Sequence, residues 1–400
     1  MPVKILQFVP EALPTFRADV AVLFGKYMPR HEVVCDIVGM ASPEPAALQG
    51  FASARRPPYR AGRLRRELDY LWLCARVLLG TRKSDCDAIQ VRDMVPIGLL
   101  ALLVARCKGV PFYYWVSYLM SEGRIERAEE KLRRSAGLRE RLVLWKGKVE
   151  RQLLYRWMLP AADHVFVQSD AMLEVMRAKG LDAARMTVVP MGVDMERLEA
   201  PAVAARPPGW EGVPLIAYLG TLDGARNLER VVDVLALVRQ HTVDACLLLI
   251  GSAPTPGDEF KLRDYIAGQG LTGAVRITGW LPSSEAWQLL AGAEVAISYI
   301  PRGALYDVSS PTKLLEYLAL GMPAVGNDTP DQAHVLTQSQ AGWLTASTPE
   351  AMAAAVADIL GHPERARQRA AGGGAYIERT RSYRVLGAMV ADKYRSLLRP

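Results

Sequence analysis

Short apolar runs alternate with stretches of helical spacing along the whole chain. In the first half, residues 3–9, 31–38, 88–92, 111–116 and 163–168 are apolar runs of strand length. Between them, 18–27, 96–108 and 170–179 place apolar residues three and four apart, as helices do, and the long basic stretch 125–160 is helical as well. A second series begins near residue 213, with strands predicted at 215–219, 245–250, 295–299, 322–326 and 342–344. Helices are predicted there at 228–240, 258–268, from Ser283 onward, at 349–360 and at 383–398. A strand, a helix and a strand within about forty residues is how a doubly wound parallel sheet begins, and such sheets bind ligands beyond the carboxyl ends of their strands.

Two such series predict two domains, since 400 residues exceed one ordinary core. The stretch 200–212, APAVAARPPGWEG, is rich in Pro and Ala and reads as a linker. The expected organisation is α/β: a Rossmann-like domain over 1–199, the linker 200–212, a second Rossmann-like domain over 213–382, and a terminal helix over 383–400.

Composition narrows the chemistry. Half the residues are apolar and 23% are charged, a balance typical of soluble globular proteins. Cys35, Cys74, Cys86, Cys107 and Cys246 are scattered without a Cys-x-x-Cys pair, which predicts free thiols in a reducing cytoplasm, with neither a disulfide frame nor a zinc site. The opening MPVKILQFVP reads as a strand, not as a signal peptide. The longest apolar run, 95–105, has about half the length needed to span a bilayer. No Gly-x-Gly-x-x-Gly follows a strand, which speaks against a nicotinamide or flavin oxidoreductase, and there is no Walker loop. The five histidines form no His-x-Glu cluster, so no metal site is expected.

The net charge of +7 matters through its location. Arg55, Arg56, Arg60, Arg63, Arg65 and Arg66 form one basic cluster, interleaved with Trp72, Leu73, Leu78 and Leu79 further along. Lys131, Arg133, Arg134, Arg139, Arg141, Lys146, Lys148, Arg151 and Arg156 form another, with Leu142, Leu144, Trp145, Leu153, Leu154, Tyr155 and Trp157 among them. Two readings stay open: an amphipathic surface facing anionic lipid, or solvated helix faces neutralised by Glu126, Glu129, Glu130 and Glu140. No nucleic-acid motif accompanies the charge, so nucleic acid is not an expected partner.

The stretch 309–330, SSPTKLLEYLALGMPAVGNDTP, parses as loop, short helix, turn and strand. Ser309 and Ser310 are expected to cap the helix, Pro311 suits its first turn, and Leu314, Leu315, Tyr317, Leu318 and Leu320 bury it up to Gly321. Residues 322–326 then read as a strand and 327–330 as a turn. Backbone N–H groups at the helix start, with Lys313 in the first turn, suit a phosphate. Glu316 either accepts hydrogen bonds from a ribose diol or pairs with Lys313. In the loop after 215–219, Gly220 lets backbone approach a ligand, and Arg226 offers a fixed cation to a diphosphate.

PTKLLEYLALGMPAVGNDTP resembles the donor-site signature of retaining nucleotide-sugar glycosyltransferases of the GT-B fold, family 4-like, group 1. In that group a Glu at the place of Glu316 binds the ribose, and a second Glu lies eight residues earlier; here that position is Val308, beside Asp307. The segment TVVPMGVD at 187–194 is similar to the group's Val-x-Pro-Asn-Gly-Val-Asp, with Met191 for Asn. Thr221 stands where the group often has Arg, while Arg226 matches its later cation. VRITGWLP at 275–282 resembles the segment whose backbone contacts the nucleobase. The loop 10–17, PEALPTFR, lacks the adjacent glycines that help seat the acceptor, leaving Thr15 and Arg17 as candidates. Similar enzymes place a His or an aromatic residue after the strand 111–116, where Trp115, Ser117 and Tyr118 stand, core packing being the other reading.

The resemblance implies two Rossmann-like domains with an inter-domain cleft. It implies sugar transfer, with retention, from a nucleotide-diphosphate-sugar co-substrate to a glycan or lipid-linked acceptor, with no cofactor or metal. The setting it suggests is bacterial cell-surface polysaccharide or lipopolysaccharide synthesis, in the cytoplasm or peripherally on the inner membrane face. Arg226, Lys313 and Glu316 are the expected catalytic residues. Gly220, Thr221, Gly279, Trp280, Leu281, Asp307, Ser309, Ser310, Thr312 and Leu314 are the expected donor contacts, and Thr15, Arg17, Trp115 and Ser117 the acceptor contacts. In place of the absent Glu, the backbone N–H groups of Ser309 and Ser310 are expected to meet the sugar. Val308 and the missing glycines keep open a non-catalytic subunit that binds sugar nucleotide or glycan, and a nucleotide-sugar epimerase would share the fold.

Overall fold

The computed structural model describes residues 2–43, 50–134, 137–198 and 204–399. Residues 200–203 of the predicted linker lie outside them, as does the Arg134 side chain of the second basic cluster. The chain divides into two compact units, one made of Met1–Met191 with Tyr383–Pro400, the other of Gly192–Ser382.

The first unit is built on seven parallel strands: β1 (Val3–Leu13), β2 (Val33–Ala41), β3 (Ser53–Arg55), β4 (Ala88–Arg92), β5 (Phe112–Val116), β6 (His164–Val167) and β7 (Met186–Val188), in the order β3-β2-β1-β4-β5-β6-β7. A parallel sheet covered on both faces needs strands that are apolar throughout, and β4, β5 and β6 are buried at every position. Pairing of Ile5 with both Cys35 and Ala88 sets the register at the centre. The terminal helix Tyr383–Leu398 packs inside this unit. Its Tyr394 is fully buried and donates to the Gln90 side chain, Arg395 donates to the His31 carbonyl at 2.7 Å, and a side chain at Gly387 would meet Tyr27 Cβ at 2.9 Å.

β3 was not foreseen, and the helix Arg63–Gly80 was anticipated only as one of two readings of the first basic cluster, without bounds. The first is three residues long and only partly buried, and the second turns a face rich in Leu and Trp outward, so neither carries the usual pattern. The stretch 125–160 is two helices, Met120–Arg134 and Leu138–Leu153, the latter running into a wider turn at Leu154–Met158. Of the two readings of Trp115, acceptor contact or core packing, the structure has the second: it is 1% exposed, stacked on Phe166 at 5.1 Å and edge-on to Phe24 at 5.3 Å.

The second unit holds six parallel strands: β8 (Leu215–Leu219), β9 (Cys246–Ile250), β10 (Val275–Ile277), β11 (Val295–Ser298), β12 (Ala324–Asn327) and β13 (Trp343–Thr345), in the order β10-β9-β8-β11-β12-β13. The helix Thr312–Ala319 joins β11 to β12, with Leu314, Leu315, Tyr317 and Leu318 buried. The stretch read as a turn at 327–330 instead opens another helix, Pro330–Ser339, which Pro330 starts. No helix among the described residues is long and apolar enough to cross a membrane.

Candidate active site

The loop after β8 organises one end of the second sheet. Gly220 N–H donates to the Ile250 carbonyl and Leu222 N–H to the Ser252 carbonyl, both at 3.0 Å, so this loop runs beside the end of β9. The approach is close enough to demand glycine: a Cβ on Gly251, at φ +145°, would lie 2.0 Å from the Gly220 carbonyl oxygen. Two cavities flank the loop. One, of about 200 Å³, is lined by Gly220, Thr221, Arg226, Thr312, Lys313 and Glu316, with Tyr218 and Leu219 completing its wall. The other, of about 270 Å³, shares Leu219, Gly220 and Thr221 and continues to Ser252, Trp280 and Leu281. Trp280 is 71% exposed, an indole presented at that cavity's edge. Gly279, at φ +78°, bridges to Gly251, and the Thr278 hydroxyl ties both to the turn.

Charge in the smaller cavity is unusual. Lys313 Nζ donates to the Tyr218 hydroxyl at 2.7 Å and to the Tyr299 carbonyl at 3.4 Å, and sits 4.2 Å from the Tyr218 ring centre. Its partner is thus Tyr218, not Glu316. Burial, with the nearby Arg226 cation, holds the Lys313 ammonium well below its ordinary pKa. Burial pushes the Glu316 carboxyl up to about 7, against the pull of Arg197. Arg226 faces the Tyr306 ring at 5.7 Å, and the Tyr306 hydroxyl donates to the Ala225 carbonyl at 3.0 Å. Arg226 and a lysine whose charged form burial disfavours thus face a space in which an anion would stabilise their positive charge, with the Glu316 carboxyl at its edge.

The first unit gathers a charge cluster at the carboxyl ends of β1, β4 and β5. Arg92 is fully buried and pairs with Asp19 at 2.6 Å, Glu11 at 3.3 Å and Asp93 at 3.7 Å. Arg17 joins from the more exposed side, 3.4 Å from Asp19 and 3.7 Å from Glu11, and its N–H donates to Thr15 Oγ1 at 3.1 Å. Ser117 N–H donates to Asp93 at 2.8 Å, and its hydroxyl donates to the other carboxylate oxygen. Burial raises the Glu11 and Asp93 carboxyls, opposed by Arg92; Asp19 is buried too, but Arg92 and Arg17 hold it below the usual range. Thr15, Arg17 and Ser117 are therefore brought to one place, but each is already engaged in holding the cluster.

Comparison with known proteins follows this division. Residues 11–192 match the family described as "Glycosyl transferase 4-like domain", and residues 213–362 match "Glycosyl transferases group 1". The chain belongs to the group 1 glycosyltransferases of the GT-B fold. A GDP-mannose-dependent alpha-(1-6)-phosphatidylinositol dimannoside mannosyltransferase of Mycobacterium tuberculosis is 30% identical over 195 residues, 48% of each chain. The amylovoran biosynthesis glycosyltransferase AmsK of Erwinia amylovora is 25% identical over 206 residues, 49% of this chain and 48% of that one. The chain thus spans about half the length of the curated relatives it matches. Anabaena HepE, solved with UDP and glucose, superposes with a TM-score of 0.71 at 15% identity, covering 98% of this chain and 100% of HepE.

In this chain the residues of the signature stretch are engaged differently from what the sequence suggests. The helix Thr312–Ala319 begins at Pro311 without any side-chain cap. Both the N–H and the hydroxyl of Ser309 donate to the Tyr306 carbonyl, at 2.9 and 2.6 Å, so that N–H is not free to replace the absent Glu. The Ser310 hydroxyl donates to Asp331 at 2.7 Å, inside the protein. Asp307 is held by Arg302 at 2.8 and 3.2 Å, Val308 is 3% exposed, and Leu314 is buried. Asp307, Ser309, Ser310 and Leu314 line neither cavity. Sequence reasoning missed Tyr218, Gly251, Ser252 and Arg197. Tyr218 was hidden inside an apolar strand, where its one signal was its place two residues before Gly220.

Proposed function

We propose that this glycosyltransferase moves a sugar from a nucleotide-diphosphate-sugar to a glycan or lipid-linked acceptor, with retention of configuration, in the synthesis of a bacterial cell-surface polysaccharide or lipopolysaccharide. The observation that carries the reading is the pair of adjoining cavities around Gly220, one lined by Arg226, Lys313 and Glu316, the other edged by Trp280. In this reading the base lies along Trp280 and Leu281, and the ribose hydroxyls donate to Glu316. The diphosphate meets Lys313, Arg226 and the uncapped N–H groups at the start of Thr312–Ala319. As the bond to the leaving group breaks, negative charge grows on the diphosphate, and preorganised cations and backbone N–H groups stabilise it there, with no cofactor required of the protein. HepE was solved with UDP, and the mycobacterial relative is GDP-mannose-dependent, so both uridine and guanosine donors belong in the test. Incubation with a panel of UDP- and GDP-sugars and membrane-extracted acceptors, followed by NMR of the product anomer, tests it: transfer with retention is expected, and inversion would refute the stereochemical part.

A membrane-facing role for the first unit is supported by two outward apolar stripes. Leu64, Leu68, Leu71, Trp72 and Leu79 are exposed along Arg63–Gly80, and Leu138, Leu142 and Trp145 along Leu138–Leu153, with Trp157 beyond. Arg63, Arg65 and Arg76 flank the first and Arg141, Lys146 and Lys148 the second, all exposed. Apolar side chains between cations suit the interface of an anionic bilayer, at the inner face of the cytoplasmic membrane in this reading.

A further inference from the structure

The helix that carries Lys313 and Glu316 starts without a cap of its own, and what holds its entrance lies behind it. Ser310, directly before the Pro311 start, is 5% exposed, and its hydroxyl donates to Asp331 Oδ2 at 2.7 Å. Arg381 completes a closed triangle: Nη2 donates to Asp331 Oδ1 at 2.7 Å, while Nη1 reaches Asp331 Oδ2 and Ser310 Oγ at 3.4 Å each. Arg381 is 6% and Asp331 9% exposed. The backbone of Arg381 is fixed as well. Its N–H donates to the Ile377 carbonyl at 2.8 Å, its carbonyl accepts from Val193 N–H at 2.9 Å, and Ser382 bridges to Val193. A buried, forked ion pair whose arginine is also fixed through its backbone is a rigid reference, and the Ser310 hydroxyl is held against it.

We propose that Arg381 and Asp331 are positioning residues for the diphosphate end of the donor site: through Ser310 they set where the first turn of Thr312–Ala319, and with it Lys313, meets the ligand. Neither residue lines a cavity at the donor loop, so neither touches the donor directly. Lys in place of Arg keeps the charge but loses the planar fork that holds Asp331 and Ser310 together. A displacement of about 1 Å at a charged binding element is enough to cost an order of magnitude or more in function.

This inference rests on the donor reading above, and the test separates the two. UDP and uridine, with GDP and guanosine in parallel, are titrated calorimetrically into the wild type, Arg381→Lys, Ser310→Ala and Glu316→Ala, each well below its own Tm. Arg381→Lys and Ser310→Ala are expected to weaken the diphosphate about tenfold and to leave the nucleoside within about twofold, a split that general destabilisation does not produce. Glu316→Ala, acting at the ribose, weakens both. If Arg381→Lys and Ser310→Ala bind the diphosphate like the wild type while Glu316→Ala is impaired, positioning by Arg381 is wrong and the donor site stands. Equal weakening of diphosphate and nucleoside in those two variants also overturns it. If Glu316→Ala binds like the wild type, or the wild type binds no nucleotide, the donor reading falls and this inference with it. Ser310→Ala removes only a hydroxyl, so the test survives should Arg381→Lys fold poorly.

Discussion

Lys313 donates a 2.7 Å hydrogen bond to the Tyr218 hydroxyl and lies 4.2 Å from the centre of the same ring. The pair joins the strand before Gly220 to the helix at the far wall of the smaller cavity, and among the described residues no carboxylate pairs with the ammonium. An uncompensated buried ammonium gives up its proton easily, and an incoming diphosphate restores it.

A nucleoside diphosphate beside Lys313 is therefore expected to raise the ammonium's lowered pKa, so any proton exchanged at this residue on binding is taken up. Calorimetry in buffers of different ionisation enthalpy reads this uptake directly, and Lys313→Met should abolish it while weakening the diphosphate by at least about tenfold, as the loss of a charge-assisted bond of roughly 1.5–3 kcal/mol implies. Undiminished uptake in Lys313→Met would assign the proton elsewhere.

Glu316 carries the pH dependence. Its carboxyl lies at about 7 in the folded protein against an ordinary 4.5, because burial disfavours the charged form. A raised carboxyl binds its proton more tightly when folded, so its contribution to stability falls as pH rises from 4.5 to 7 and stays low above that. Glu316→Gln should thus gain stability relative to wild type between pH 5 and pH 8, as thermal melts at the two values will show. Ribose hydroxyls are held by the ionised form, so nucleoside affinity should strengthen from pH 6 to pH 8 in wild type and stay flat in Glu316→Gln.

Val308, where the family usually has Glu, is 3% exposed, so a carboxylate placed there has to be buried. Val308→Glu is expected to lower Tm and not to raise turnover. Asp307 is spent on Arg302, and Asp307→Asn should cost less than about tenfold in initial rate, since an exposed pair contributes little. A gain in turnover from Val308→Glu would mark the protein as a weakened relative whose lost group had been put back.

Purified protein should bind anionic vesicles, less so as salt is added, because exposed charges are screened. Changing Arg141, Lys146 and Lys148 to Gln should lessen that binding, and Trp145→Ser should lessen it in a way salt does not mimic. A wild type that ignores such vesicles would favour a soluble acceptor.

Both sheets were legible because their strands are buried on both faces and read as plain apolar runs, as in FYYWV of β5 and CLLLI of β9. The elements missed or left without bounds were those whose pattern points outward, such as Arg63–Gly80 with Trp72 in solvent, or those too short to carry one, such as β3. Gly220, Thr221, Arg226, Thr312, Lys313 and Glu316, all singled out in the sequence, line one cavity. Ser309, Ser310, Asp307 and Trp115 are engaged elsewhere for a common reason. A local phrase names polar or aromatic residues near a ligand but not their partners, and Arg302, Asp331 and Phe166 claim three of them from 5, 21 and 51 positions away along the chain.

The donor site rests most directly on whether one nucleotide diphosphate fills the space around Gly220. Titration of UDP, UDP-glucose, GDP and GDP-mannose into the wild type, Glu316→Ala and Arg226→Ala measures it. At least one of the four should bind the wild type, with Glu316→Ala weaker by about tenfold or more and Arg226→Ala losing far more affinity for the diphosphate than for the parent nucleoside. Equal affinity in all three proteins, or equal losses for diphosphate and nucleoside in Arg226→Ala, would contradict it.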